Sequence, residues 1–481
     1  MSAHEKILDE YEIRFNKLIV NIRIVDYEDE FVPFYLVSIL NLSKVTEGIL
    51  EKIKEDFVSK VNTGAISFSF EGGYKSLEEN FIAELKLLIK KYFPHIDKPT
   101  SDFLVSHLIQ ESLGLGKIEI LLHDKNLEEI VVNNSKEPVW AYHRKFGWVK
   151  TNIYIENEKK IRHYATLIGR DVGKDITVLE PLMDASLRTG DRVNATLHPI
   201  STKGNTLTIR KFADKPWTIT DMILNGTITS EVAAWIWLAI EFELSTLIVG
   251  GTGSGKTSML NALSNFFPAN QRIISIEDTR ELALPEHLHW VPMETRLPNP
   301  EGKGEVTMLD LVVNSLRMRP DRILVGEIRR KREAEVLFEA MHTGHSVYAT
   351  LHANNASEAI SRLTNPPIDI PKLMLSSLGL LVVQYRNRRT GKRVTLQVAE
   401  ITETGDAKVI FQYDLKNNKY VQLNTPDRLL SAISLYAGLN QEEVENEIKE
   451  KKKFLDWLVQ NNINDVNKVG LLISKYYRSK K

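Results

Sequence analysis

One segment constrains this chain more than any other: Gly250-Gly251-Thr252-Gly253-Ser254-Gly255-Lys256-Thr257. It fits G-x-x-x-x-G-K-[ST]. Glycines let consecutive backbone N–H groups wrap an anion without a Cβ in the way. Lys256 offers a point charge to β and γ phosphate oxygens, and Thr257 offers a hydroxyl to Mg2+. A helix opening at Gly255 adds the positive end of its dipole. The motif carries meaning only between a buried strand and a helix. Residues 244–249 (LSTLIV) read as that strand and 258–263 (SMLNAL) as that helix. The predicted phosphate-binding set is Gly251, Thr252, Gly253, Ser254, Gly255, Lys256, Thr257 and Ser258, with Thr257 toward the metal.

The surrounding pattern predicts an α/β fold. Four short runs rich in β-branched residues, 246–250, 272–277, 322–327 and 346–350, are separated by helical stretches. Such alternation reads as a parallel sheet covered on both faces, with ligands at the carboxyl ends of the strands. A helix over 232–242, preceded by Thr229-Ser230, leads into it. After residue 378 the pattern becomes a hairpin meander, 378–385, 393–401 and 408–413, with Asn387-Arg388-Arg389-Thr390-Gly391 and Thr404-Gly405-Asp406 as turns. Upstream, 18–24 and 34–38 read as strands and 77–91 as a helix, punctuated by Pro94 and Pro99. Ser101 is expected to cap a helix over 103–113, followed by strands at 129–132, 140–143 and 148–154. The boundaries drawn are 1–97, an N-terminal α+β region; 98–215, a second, PAS-like α+β domain; 216–425, the nucleotide domain; and 426–481, a helical tail.

Composition excludes several classes. Lys+Arg number 62 and Asp+Glu 63 in 481 residues, a formal net charge of −1. A dedicated nucleic-acid binder normally carries a basic excess, because it must displace counterions from phosphates. There is no cysteine, which removes disulfides, thiolate metal sites and cysteine nucleophiles. The opening MSAHEKILDEYEIRF has no apolar core, so no secretory signal is expected. The longest apolar stretches, 233–240 and 378–383, fall short of the roughly 18–20 residues of a membrane span. Membrane association is therefore expected through partners or a surface patch. The basic runs 451–453 and 478–481 read as solvated helix ends, or as attraction to an anionic surface.

Three further boxes sit at strand ends: Ile276-Glu277-Asp278-Thr279-Arg280-Glu281, Ile323-Leu324-Val325-Gly326-Glu327-Ile328-Arg329, and Thr350-Leu351-His352-Ala353-Asn354. A carboxylate must orient water for phosphoryl transfer. Glu277 is the first choice for that role and Glu327 the second, Glu327 being assigned to the Mg2+ shell. His352 is a candidate neutral donor to a γ-phosphate, with a satisfied loop histidine as its rival. His345, at the strand's start, reads as structural or functional with equal ease, and Arg317 and Arg329 are candidates for phosphate or interface contacts.

Taken in order, the phosphate loop, the IEDTREL box, the LRMRPDRILVGEIR region and the GHSVYATLHAN box resemble the four signature motifs of the secretion ATPase superfamily, over about residues 100–415. Residues 180–187, 192–195 and 209–212 resemble its archaeal pilus and archaellum branch. The resemblance implies a RecA-like P-loop NTPase core with a smaller α+β N-terminal domain and a helical tail. It implies ATP and Mg2+, a homo-hexameric ring, and Arg192 and Arg210 brought onto the nucleotide. The implied place is cytoplasmic, peripheral at the inner face of the cytoplasmic membrane, on a polytopic platform protein of a pilus, archaellum or secretion machine. Two features depart from common patterns. The tetracysteine module of many bacterial members is absent, and Gly326-Glu327 stands where other P-loop enzymes place an Asp, which routes the metal contact through water. The alternative reading is a nucleic-acid-translocating RecA-like ATPase.

Overall fold

The computed structural model describes residues 5–15, 18–39, 43–62, 73–187, 189–212, 215–298 and 302–480. The chain divides into two compact units, Met1–Ala213 and Asp214–Lys481, and each is built on one nine-stranded sheet.

In the first unit the elements run β1 (Glu5–Phe15), β2 (Leu18–Tyr27), β3 (Phe34–Ile39), α1 (Lys44–Asn62), α2 (Gly73–Tyr92), α3 (Lys98–Leu113), α4 (Ile118–His123), β4 (Leu127–Val132), β5 (Trp140–His143), β6 (Gly147–Thr151), α5 (Glu158–Asp171), β7 (Leu182–Ser186), β8 (Arg192–Thr196) and β9 (Thr206–Arg210). The sheet order is β1-β2-β3-β6-β5-β4-β9-β8-β7, and every pairing but β3–β6 is antiparallel. Leu18, Val20, Ile22 and Ile24 of β2 alternate into the core with Leu50 and Ile53 of α1 and Leu85, Leu88 and Ile89 of α2, the period-two pattern of a strand with one buried face. Ser101 does not cap α3 as expected. The helix begins at Lys98, and Asp97 instead accepts from Thr100 N at 3.2 Å and Thr100 Oγ1 at 2.6 Å, with Pro99 tolerated in a first turn that needs no amide donor. The strand expected over 148–154 stops at Thr151.

The second unit runs α6 (Ile219–Leu224), α7 (Ser230–Glu241), β10 (Thr246–Gly250), α8 (Lys256–Ser264), β11 (Arg272–Glu277), β12 (His289–Glu294), α9 (Met308–Ser315), β13 (Arg322–Val325), α10 (Lys331–His342), β14 (Ser346–Leu351), α11 (Ala356–Thr364), β15 (Leu380–Arg386), β16 (Arg393–Ile401), β17 (Ala407–Asp414), β18 (Lys419–Gln422), α12 (Asp427–Ala437), α13 (Gln441–Gln460) and α14 (Val466–Ser479). Its order is β12-β11-β13-β14-β10-β15-β16-β17-β18. The first six strands are parallel and the rest form the antiparallel meander. Leu247 and Val249 enter one apolar core and Ile248 the other. Strands buried on both faces explain the uninterrupted β-branched runs. The unit is the RecA-like α/β core expected from the sequence. The unforeseen β12 contains Pro292 and forms the sheet's edge, where a missing amide costs no ladder bond.

The tail belongs to this unit: Leu455, Leu458, Val469 and Ile473 share a core with α7. That corrects the reading of the run 451–453 as a solvated end. Lys451 is fully buried. It bonds Glu241 Oε2 and Glu447 Oε2, each at 2.9 Å, and lies over the rings of Trp237 and Tyr476. Lys452 is half-buried and paired with Asp456, and only Lys453 is exposed. Among the described residues no helix is long and apolar enough to cross a membrane.

Candidate nucleotide site

The phosphate loop leaves the end of β10, the strand between β14 and β15. At Gly250 any Cβ would lie 2.4 Å from Ser254 Oγ and 2.5 Å from Gln384 O, so only glycine lets the loop turn against β15. Ser254 Oγ donates to Gly251 O at 2.8 Å. Gly255 caps α8 at φ 92° with no side-chain hydrogen bond, so the first-turn amides and the helix dipole are left for an anion. Lys256, the first residue of α8, is 9% exposed. Its Nζ donates to Gly251 O at 3.2 Å and stands 3.3 Å from His352 Nδ1. Thr257 and Ser258 follow on the part-buried first turn.

The two glutamates come from adjacent strands. β11 and β13 pair with Ile276 opposite Val325, and Gly326 N donates to Ile276 O at 2.9 Å. A Cβ on Gly326 would meet Glu277 Cα in ordinary contact at 3.5 Å, so the two strand ends lie side by side. Glu277 is 2% exposed. Its Oε1 accepts from Glu281 N at 2.8 Å and Leu282 N at 3.0 Å, while its buried Oε2 has no hydrogen-bond partner among the described residues. Burial pushes its carboxyl up to about 7, against the pull of those two amides. A carboxylate with one oxygen fixed, one open and a titration point near neutrality suits a general base.

Glu327 lies two residues past the end of β13 and works differently. Its Oε1 is 3.2 Å from His352 Nε2, and its Oε2 accepts from Arg329 Nε at 3.0 Å and Nη2 at 2.6 Å. Arg329 Nη1 reaches Asp278 Oδ2 at 2.7 Å. A relay thus runs Lys256–His352–Glu327–Arg329–Asp278 across the carboxyl ends of four strands. Burial and the Lys256 charge hold the His352 imidazole below its ordinary range, opposed by Glu327.

Other candidates stand apart. His345 Nδ1 contacts Thr343 Oγ1 at 3.2 Å and Ala340 O at 3.3 Å, a local set at the start of β14. Arg317 sits in the 3-10 turn Leu316–Met318, at the opposite end of β13 from Glu327. Arg192 and Arg210 belong to the first unit, directly opposite each other in the β8–β9 ladder. Both are exposed. Asp184 Oδ2 accepts from Arg192 Nη2 at 2.7 Å. Glu129 lies opposite Arg210 in the β4–β9 ladder and feels its charge, so each arginine has a carboxylate beside it within the sheet.

Among the described residues no three His, Asp or Glu side chains converge to hold a metal. Magnesium in a phosphate loop asks for less, since it keeps waters and substrate oxygens and takes one or two protein oxygens. The Thr257 hydroxyl beside the uncapped amides fits that donor set. Glu327, with both oxygens engaged by His352 and Arg329, fits it through water.

Comparison with known proteins defines the class. Residues 180–404 match the family described as Type II/IV secretion system protein. An uncharacterized protein of Methanocaldococcus jannaschii is 35% identical over 383 residues, 77% of this chain and 69% of the relative. The Bordetella pertussis type IV secretion system protein PtlH is 32% identical over 311 residues, 58% of this chain and 91% of PtlH. Another uncharacterized M. jannaschii protein is 41% identical over 355 residues, and the chain spans only 46% of that relative's length. The VirB11 ATPase of the Brucella suis type IV secretion system, solved with sulphate, aligns at 25% identity over 60% of this chain and 93% of VirB11, TM-score 0.31. The pilus retraction motor PilT with bound ADP aligns at 18% identity over 69% of this chain and 96% of PilT, TM-score 0.42. The chain belongs to the type II/IV secretion ATPase superfamily.

Proposed function

We propose that this chain hydrolyses Mg2+-ATP, and that a ring of six copies converts the resulting domain movement into work on a membrane platform protein. The machine would assemble pilus-like or archaellum filaments, or secrete, from the cytoplasmic face. The observation that carries the reading is the chain of contacts from Lys256 of the phosphate loop through His352 to Glu327, with Glu277 at the end of the strand that pairs with β13.

The mechanism follows from the groups. The loop amides and Lys256 hold the β and γ phosphates of ATP. Magnesium, bound by Thr257 and through water by Glu327, would supply charge compensation at the β and γ oxygens. Glu277 Oε2 orients the attacking water and takes its proton, while the bond from the γ phosphorus to the β–γ bridging oxygen breaks and ADP keeps that oxygen. The neutral His352, set between Lys256 and Glu327, registers whether a γ-phosphate occupies the cradle. Arg192 and Arg210 stabilise the transferring phosphoryl when the first unit closes. Binding favours the closed form and hydrolysis the open one, and that difference in contacts is the source of movement.

The test is phosphate release by the purified full chain with Mg2+-ATP, beside cells in which Lys256→Ala replaces the native gene. Normal filament assembly or secretion in those cells would defeat the motor reading. A DNA- or RNA-translocating motor is the second reading, favoured by a 34% identical Mycobacterium tuberculosis relative named a putative conjugal transfer protein. It requires strong nucleic-acid stimulation of hydrolysis with a steep salt dependence, against which the net charge of −1 stands.

A further inference from the structure

The β15–β16 hairpin has no role in the chemistry above, yet it stands against the phosphate loop. β10 and β15 run parallel with Gly250 opposite Gln384, so the turn after β15 leaves the sheet beside the loop. It does so on the side of β10 away from β14 and β13, hence away from His352 and Glu327. The turn is strongly basic, with Arg386, Arg388, Arg389, Lys392 and Arg393 in close succession.

Two of these side chains touch the loop itself. Arg393 Nε donates to Gly253 O at 3.0 Å. A Cβ on Gly253 would lie 2.9 Å from Arg386 Nη1. Loop and hairpin together border an open cavity of about 550 Å3, with Gly251, Thr252 and Ser254 on one wall, Arg386, Arg388 and Arg389 on the other, and Asn354 beside the loop. None of its lining residues carries a carboxylate. Guanidinium groups gathered on one concave wall raise the local positive potential and attract an anion. Their planar forks suit phosphate oxygens better than an ammonium does.

We propose that this hairpin is a second cationic clamp on the polyphosphate of the nucleotide, opposite the relay that ends on Glu327. The proposal rests on the reading of Lys256 and its loop as a triphosphate cradle. The relay deals with the γ-phosphate, which leaves. The hairpin holds phosphates common to substrate and product, so it contributes to binding of the triphosphate and diphosphate alike. Its function is retention of the nucleotide through the cycle, and its ligand class is a nucleoside di- or triphosphate.

The test measures affinities of the full chain for Mg2+-ADP and for a non-hydrolysable ATP analogue by calorimetry. Arg386→Gln and Arg389→Gln, singly and together, should each weaken both ligands by about tenfold, the size of one charge-assisted hydrogen bond. Arg386→Lys should recover part of the loss, and the double variant should bind with a shallower salt dependence. Arg388→Gln and Arg389→Gln alter exposed side chains, so they test the clamp even if changes at Arg386 disturb the fold. Variants that bind both nucleotides as the wild type does would overturn the clamp while leaving the cradle intact. A wild-type chain that binds neither nucleotide would overturn the cradle, and the clamp with it.

Discussion

The two units carry sheets of equal size but opposite design. In the first, antiparallel strands present one face to helices and take a buried polar node: Tyr11 and Tyr35 hydroxyls both donate to Asp124 Oδ2, each at 2.5 Å. In the second, parallel strands are buried on both faces, and polar groups gather at strand ends. β13 shows the rule within one strand. At its start Arg322 is fully buried, donating to Gln271 Oε1 at 2.5 Å, to Ile240 O at 2.8 Å and to the Tyr348 hydroxyl. Just past its end stands Glu327, partly exposed and bound to Arg329 and His352. Amino ends hold the fold and carboxyl ends hold the chemistry, as open α/β sheets require.

The largest break of that division is Lys256→Ala. It should lower phosphate release by at least about 10³-fold, because the charge opposite the transferring phosphoryl is lost. Thermal stability should change little by comparison. A variant that unfolds outright would place the lysine among the structural groups instead.

Next in size is Glu277→Gln, expected to cost about 10²–10⁴-fold in turnover, the usual range for a general base. Wild-type activity should rise with pH through an acid limb near 7, where the Glu277 carboxyl titrates, and the residual activity of the variant should lack that limb. Stability should move the other way. A carboxyl raised in the folded state favours its protonated form, so its contribution is whole below about 4.5 and is lost as pH rises through 7. Glu277→Gln should therefore melt higher than wild type at pH 8 and nearly level with it at pH 4.5. Identical melting differences at both pH values would show that burial does not raise this carboxyl.

The carboxyl ends were far more legible in the sequence than the amino ends. Phosphate loop, acid box and histidine box are contiguous strings with fixed chemistry, and β10, β11, β14 and β16 fall within a residue of their predicted limits. The sequence could not show that Glu327 and His352 share a bond, since pairing across β13, β14 and β10 is set by strand order and not by spacing. The hairpin arginines were read only as a turn, although five basic residues in so short a stretch were the available signal. In the first unit β1, β7, β8 and β9 went unread as strands: β7, β8 and β9 are five residues each, so their alternation is brief, and β1 at the sheet edge keeps most of its side chains exposed or half-buried. Lys451 misled because a run of three lysines reads as solvated; its partner Glu241 comes from α7, more than two hundred residues away.

Arg322→Leu tests the amino end of β13. It would leave the buried Ile240 O without its donor and strip one from the half-buried Gln271, at a cost of about 2–4 kcal/mol. Melting temperature should fall by roughly 2–4 °C per kcal/mol in a unit of this size. Turnover per folded molecule should stay within about twofold, since the residue lies at the far end of the strand from Glu327. A kinetic loss as large as that of Glu277→Gln would erase the distinction between the two ends.

The smallest expected effect falls in the first unit. Tyr35→Phe removes one of two hydroxyl donors to Asp124, while Tyr11 and the Asn126 amide remain. The expected cost is about 1.5–3 kcal/mol, the range for a hydrogen bond to a charged group, and Tyr11→Phe should cost less because that hydroxyl is less buried. Burial and the Asp124 charge push both phenols well above their ordinary range. With a raised pKa, the stabilising contribution is complete below pH 10 and fades only above it. Ultraviolet titration of the folded protein should therefore place Tyr11 and Tyr35 among the phenols that stay protonated when exposed ones have ionised, with one fewer such phenol in each Phe variant. A Phe variant that instead loses a phenol titrating near pH 10 would mean that water reaches Asp124, and that the first unit's polar node is as open as the strand tips of the second.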